Sequence, residues 1–286
     1  MSTLIYGIVN SLIFLLIAVG FTLVYGVSRI PNFAHGALYI LTGFMTWVFL
    51  NSLGLPYALS IVLSIIITAL VGAVIYRLIF VRVRGMEASE IIASFAIGLA
   101  IMEGLRRGFA GQFAIPEYID RMVSIFGVPI HMQRLIIIGV ALVVVALLWF
   151  FTHYTKIGLA LRAIAQHERA AMMLGIDSDL TAIVSLALGS AVAGVAAVAI
   201  LPLGLITVDT GYNVLTMAIA VSIVGGLGSW TGAVIGAFVL GFGQILTARF
   251  IGPQWQMVVV FAAIIVVLLV RPSGLFGKQK ELEERV

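Results

Sequence analysis

Residues 59–78 read LSIVLSIIITALVGAVIYRL, a run with no ionisable side chain before Arg77 and with large apolar groups all round a helix. A soluble helix carries one apolar stripe, whereas a run that is apolar around its circumference is solvated by lipid or by a deep core. About twenty such residues cross roughly 30 Å of hydrocarbon. Leu135–Phe151 and Val258–Val270 repeat the pattern over shorter lengths. Hydrophobic residues make up 62 % of the 286 positions and the mean hydropathy is +1.21, more than a water-soluble domain can hide. Lipid supplies no hydrogen-bond partners, so a crossing is either a helix or a strand of a closed barrel. The alternation of barrel strands over about ten residues is absent. The sequence therefore predicts an all-α polytopic membrane protein, one transmembrane domain over residues 1–286 with about eight transmembrane helices.

The apolar runs predict helices at about 4–26, 31–50, 56–80, 91–109, 135–152, 180–205, a broken pair at 214–224 and 233–250, and a last one at 256–270. Met1, Ser2 and Thr3 supply no basic leader, so the first run is expected to stay as a span. Arg77, Arg82 and Arg84 fall in one connection, Lys156, Arg162 and Arg169 in a second, and Arg271, Lys278, Lys280 and Arg285 in the tail. The positive-inside rule places these groups in the cytoplasm, with the N-terminus outside and the tail, 271–286, inside. The formal charge of +4 resides at the ends of apolar runs, where membrane lipid explains it and no nucleic acid is needed. The lack of cysteine excludes disulfides and thiolate chemistry.

No phosphate-binding loop occurs. The string Gly274-Leu275-Phe276-Gly277-Lys278 lacks its spacing and hydroxyl. The four histidines are scattered and carboxylates do not cluster, so no catalytic site and no metal site are expected. Among ionisable residues in the spans, Glu103 has Arg106 and Arg107 three and four positions on and is expected to pair with them. Asp209 sits in a turn-rich outer stretch and is read as a cap. His35 follows Asn32 at a helix start and is either a satisfied buried histidine or part of a pore.

Val224–Gly232 interrupts an apolar run with Gly225, Gly226, Gly228 and Gly232. Two readings are open: a broken helix beside a substrate path, or a tight cytoplasmic turn between two spans. Residues 156–178 read as an amphipathic inner helix, with Arg162, Gln166 and Arg169 on one face, continuing to a left-handed stop at Gly175. Such a helix lies on headgroups or docks in a partner's groove. The outer segment 110–134 exposes Glu117 and Asp120, turns at Phe126-Gly127, and is expected to be periplasmic.

Four stretches together resemble the permease subunits of branched-chain amino acid ABC importers. They are Gly20–Gly26 running into Asn32–Gly36, Leu161–Ile176, Gly225–Ala233 and Arg271–Gly277. The resemblance implies a translocation pathway formed with a second permease subunit, usually a paralogue, with two ATPases using ATP and Mg below and a periplasmic substrate-binding protein above. The chain itself would bind no cofactor. Arg162, Gln166, Glu168, Arg169, Ala170, Ala171 and Gly175 would form the coupling segment, with Arg169 where the family has glutamate. Tyr25, Asn32, His35, Gly36, Gly225, Gly226 and Gly228 are the candidates for the translocation pathway. Substrates within the resemblance range from branched-chain and other small amino acids to urea, amides and small aromatic carboxylates. An ion-coupled secondary transporter is the rival reading, and it requires Glu103, Asp209 and His35 to form one coupling site.

Overall fold

The computed structural model describes residues 2–277 apart from Ile30, Phe109, Ala110, Gly111, Tyr118, Asp120, Phe126 and Leu205. The helices run α1 (Ser2–Ser28), α2 (His35–Asn51), α3 (Tyr57–Ile75), α4 (Val81–Val83), α5 (Glu87–Gly108), α6 (Met132–Tyr154), α7 (Lys156–Gln166), α8 (Glu168–Met173), α9 (Ser178–Ile200), α10 (Thr210–Gly225), α11 (Trp230–Phe250) and α12 (Gln256–Val270). A π-helical turn at Tyr76–Phe80 joins α3 and α4 into one rod. Among the described residues, seven helical segments are long and apolar enough to cross a membrane. Two more, α2 with 17 residues and α10 with 16, are membrane-buried in composition but shorter. The expected all-α polytopic architecture is present, and the expected eight spans fall between the seven long helices and the nine membrane-scale ones.

The shortness of α2 has a visible cause. The His35 ring, at its first turn, bonds the carbonyl of Ile17 in the middle of α1, so α2 starts part-way along α1 instead of at its end. The non-helical residues 31–34 that lead to that point are buried or half-buried.

Helix α1 is the hub, buried along most of its length and packed on α6, α9, α10 and α11. Small residues permit these contacts. A Cβ on Gly20 would stand 2.8 Å from Gly189 O of α9, and one on Gly241 of α11 would stand 2.5 Å from Ser11 Cα. Ser185, Gly189, Ala193 and Ala197, the ladder at four-residue steps, are all buried, as close helix packing requires.

Helix α3 is built inside out. Ser60, Ser64, Thr68 and Gly72 recur every four residues and are buried, while Leu59, Val62, Ile66, Leu70 and Val74 are exposed. Thr68 Oγ1 meets Thr42 Oγ1 at 2.8 Å and Ser64 Oγ meets Thr46 Oγ1 at 2.7 Å, so hydroxyls tie α3 to α2. In lipid the large apolar side chains belong outside and the small polar ones against protein. That reverses the soluble pattern.

The two ends of the bundle differ in what closes them. At the outer end β1 (Gln112–Phe113) pairs antiparallel with β4 (Ile206–Thr207), and β2 (Met122–Ile125) forms a hairpin with β3 (Val128–His131). The expected turn there carries Gly127 at φ +78°. At the inner end, the tips of α1 and α4, the α7–α8 corner, the α10–α11 turn and the non-helical segment 271–277 after α12 come together. Arg29 bonds Ala165 O, Arg84 pairs with Glu168, and Leu275 N bonds Val224 O. Among the described residues the cations assigned to the cytoplasm therefore share one end, as the positive-inside reading expects; Lys278, Lys280 and Arg285 lie outside the described residues.

Candidate functional site

The glycine-rich interruption is a tight turn at that inner end. Helix α10 closes at Gly225, Gly226 takes φ +109° and Gly228 φ +76°, and Ser229 caps α11 by accepting a hydrogen bond from Gly232 N at 3.1 Å. The last carbonyls of a helix lack intrahelical partners. Here the turn segment after α12 supplies them, with Leu275 N on Val224 O at 3.0 Å and Phe276 N on Gly225 O at 2.8 Å. A Cβ on Gly226 would stand 2.2 Å from Gly277 N, which leaves no room for any other residue. Of the two readings open in the sequence, the turn between two helices is the one realised.

The second interruption, Asn32–Gly36, is an enclosed entry into α2. Asn32 Oδ1 accepts from Ala34 N at 3.1 Å and Asn32 O accepts from His35 N at 3.1 Å, while Phe33 N donates to Ser94 Oγ of α5 at 3.3 Å. Non-helical backbone at membrane depth is tolerated where protein satisfies it in this way. His35 is 1 % exposed, and Nε2 donates to Ile17 O at 3.0 Å. Gly36 abuts Gly211 at the start of α10, where a Cβ would stand 2.0 Å from Gly211 O. The glycine turn lies at the other end of the 16-residue α10, about 20 Å away at 1.5 Å per residue. The two interruptions thus bracket α10 and do not meet. Asn32, His35 and Gly36 are packed against α1, α5 and α10.

A cavity of about 730 Å³ opens at the inner end between α1, the α6–α7 corner and the start of α11. Tyr25 and Gly228 from the candidate pathway set line it together with Arg162 and Gln166 from the coupling set. Gly225 and Gly226 lie behind it, buried under the turn segment after α12.

The segment expected to couple is two helices, α7 and α8, a correction to the single helix expected through Gly175. His167 adopts φ −153°, ψ 97°, and its Nδ1 accepts from Ala170 N at 3.2 Å, so an imidazole ends α7 and caps α8. Gly175 is the left-handed stop expected, at φ +84°. The kink divides the candidate residues. Ala171 turns inward, 3 % exposed, onto Val27, Leu161 and Ile164. Arg169 and Ala170 stay exposed. Met172, Met173 and Leu174 project at 51, 89 and 83 % exposure, an apolar tip that residue-by-residue reading of the charged face had passed over.

Glu168 stays exposed but is tied to the α4–α5 turn. Its carboxylate pairs with Arg84, which also pairs with Asp179 and bonds Ser178 Oγ at the start of α9. The backbone of that turn is itself fixed, because Glu90 accepts from Gly85 N at 2.8 Å. Partial burial works against the Arg84 charge, but Tyr76, Glu168 and Asp179 outweigh it and hold its pKa above the ordinary arginine value. Nothing in the local sequence marks this clamp, since its partners lie in distant segments.

At the outer end Glu103 pairs along its helix with Arg106 at 3.8 Å and Arg107 at 3.5 Å, as expected. Asp209 makes no capping bond at α10; Arg106 holds it at 2.8 Å. Glu117 is 22 % exposed in its side chain and stands 3.5 Å from His131, so it is not the free surface charge expected; Asp120 lies outside the described residues. Glu103 and Asp209 therefore share one arginine, whereas His35 is enclosed against α1. Among the described residues no three histidine, aspartate or glutamate side chains are placed to hold a metal ion.

A mainly helical bundle, with seven segments long and apolar enough to span and its interrupted helices folded against protein, defines a polytopic membrane protein. Its relatives agree. The family profile for the permease component of the branched-chain amino acid transport system matches residues 3–268. The chain is similar to the high-affinity branched-chain amino acid transport system permease protein BraD of Pseudomonas aeruginosa, with 30 % identity covering 96 % of this chain and 95 % of that one. It is similar to LivH of Escherichia coli at 31 % identity over 95 and 94 % of the two chains. Among solved structures it resembles PsaBC from Streptococcus pneumoniae in complex with Fab, with a TM-score of 0.51 and 11 % identity over 96 % of this chain and 94 % of that one, a likeness of fold. The chain belongs to the family of branched-chain amino acid transport system permease components. It is a multi-pass protein of the inner membrane and the translocation-pathway subunit of an ABC importer.

Proposed function

We propose that this chain, with a second permease subunit, carries branched-chain or other small amino acids inward, driven by two ATPases that use ATP and Mg and bind beneath α7 and α8. A periplasmic substrate-binding protein delivers solute to the outer end, where the β2–β3 hairpin offers a small ordered platform. The observation that carries the reading is the α8 tip. Met173 and Leu174 are among the most exposed large apolar side chains at the inner end, held on a corner that Ala171 anchors in an apolar cluster and Glu168 ties to Arg84. An apolar knob on a rigid base fits a partner's groove better than open water. The ion-coupled alternative has less support, because Glu103 and Asp209 are neutralised by Arg106 and His35 bonds a backbone carbonyl.

Uptake into proteoliposomes separates the two. The full complex should accumulate leucine on addition of Mg-ATP and show no response to a proton or sodium gradient. Gradient-driven leucine uptake by the purified chain alone would end the reading.

A further inference from the structure

The inner cavity carries more cation than its surroundings account for. Arg29 and Arg162 both line it, and no aspartate or glutamate does. Among the described residues neither arginine is ion-paired with a carboxylate, in contrast to Arg84, Arg106 and Arg107 at the bundle's other charged corners. Among the described residues each bonds a backbone oxygen, Arg29 to Ala165 O at 2.8 Å and Arg162 to His153 O at 3.5 Å. Arg29 is also the one described non-glycine residue in the left-handed region, at φ 58°, a conformation costly enough to need support from its surroundings. The hydroxyls of Tyr25 and Ser229 belong to residues on the same wall, and Gln166 adds an amide. Thr22 and Thr152 add two more hydroxyl residues, and most of the remaining lining is apolar, including Trp230, whose indole belongs at headgroup depth.

We infer that this cavity is a binding site for an anionic phospholipid of the inner leaflet. Its phosphate would sit between Arg29 and Arg162, and its acyl chains would leave past Trp230 toward the lipid-facing side of α6 and α11. Three properties point to a lipid in place of a soluble anion: the site lies at the end of the spans, its wall is half apolar, and basic pockets between membrane helices on the cytoplasmic side suit anionic headgroups. The site is independent of which solute the complex carries.

Native mass spectrometry of the purified chain, titrated with phosphatidylglycerol, phosphatidylcholine or inorganic phosphate, tests it. Wild type should retain one phosphatidylglycerol in preference to phosphatidylcholine, and millimolar phosphate should not displace it. Each basic side chain near a membrane surface contributes about 1 kcal/mol, so Arg29→Gln and Arg162→Gln should each weaken retention roughly fivefold and the pair roughly thirtyfold. Arg162→Lys should restore most of the loss. Arg249→Gln, at the outer end against Ser2 and Thr3, changes the same charge and should leave retention at the wild-type level. Unchanged retention in the folded double variant would overturn the inference. Equal loss in Arg249→Gln, or ready displacement by inorganic phosphate, would do the same.

Discussion

Single side chains decide how the inner end is held. Arg84 joins the α4–α5 turn to α8 and α9 through Glu168, Ser178 and Asp179, so it is a positioning residue for the α7–α8 corner, where coupling is proposed. In Arg84→Ala, assembly with the ATPases should persist while the ratio of ATP hydrolysed to solute moved rises severalfold; an unchanged ratio would mean the clamp is ornamental. Gly226 acts through shape. With φ +109° and the 274–277 segment on top of it, Gly226→Ala should cost about 1–3 kcal/mol and free that segment to protease, a change read by thermal shift and limited proteolysis. The sequence announced Gly226 by its neighbours, since four glycines in eight residues are a local signal. It could not announce Glu168, whose partner is far along the chain and whose position beside the family's usual glutamate invites a reading as surface charge.

Elements were legible to the extent that their pattern is local. The long apolar runs of α1, α3, α6, α9 and α12 gave helices at nearly the right places because circumferential apolarity has one solution in lipid. The late start of α2 was not legible, being set by a histidine bond to α1, and the kink at His167 was hidden because an imidazole cap is not the usual capping residue. The inside-out face of α3 was present in the sequence as Ser60, Ser64, Thr68 and Gly72 at four-residue steps, overlooked beneath the strong apolar signal. Each hydroxyl contact between membrane helices contributes about 0.6 kcal/mol, so Thr68→Val should cost about that much in a reversible unfolding assay. Ile66→Val on the lipid face should be neutral; a larger loss there would mean that α3 is turned the other way.

At the scale of the molecule, charge asymmetry and helix parity give one orientation, with the outer β segments on one side and the α7–α8 corner on the other. A chain without cysteine makes this simple to read. Gln112→Cys should react with an impermeant maleimide added outside intact cells, and Met173→Cys only after the cytoplasmic face is opened; the reverse pattern would invert the topology. The pathway itself was the least legible part, because under the proposed pairing the conduit is a property of two permeases, and a single sequence marks only its interruptions.

The most direct test measures ATP hydrolysis and leucine uptake side by side in the reconstituted complex carrying Met173→Asp. An aspartate at the exposed α8 tip leaves the buried Ala171 contacts in place and puts a charge into the apolar joint. Uptake should fall at least tenfold with the permease still inserted and folded, and ATP hydrolysis should lose its dependence on the loaded binding protein. Wild-type uptake with normal stimulation would contradict the assignment of α7 and α8 as the place where ATP is coupled to transport.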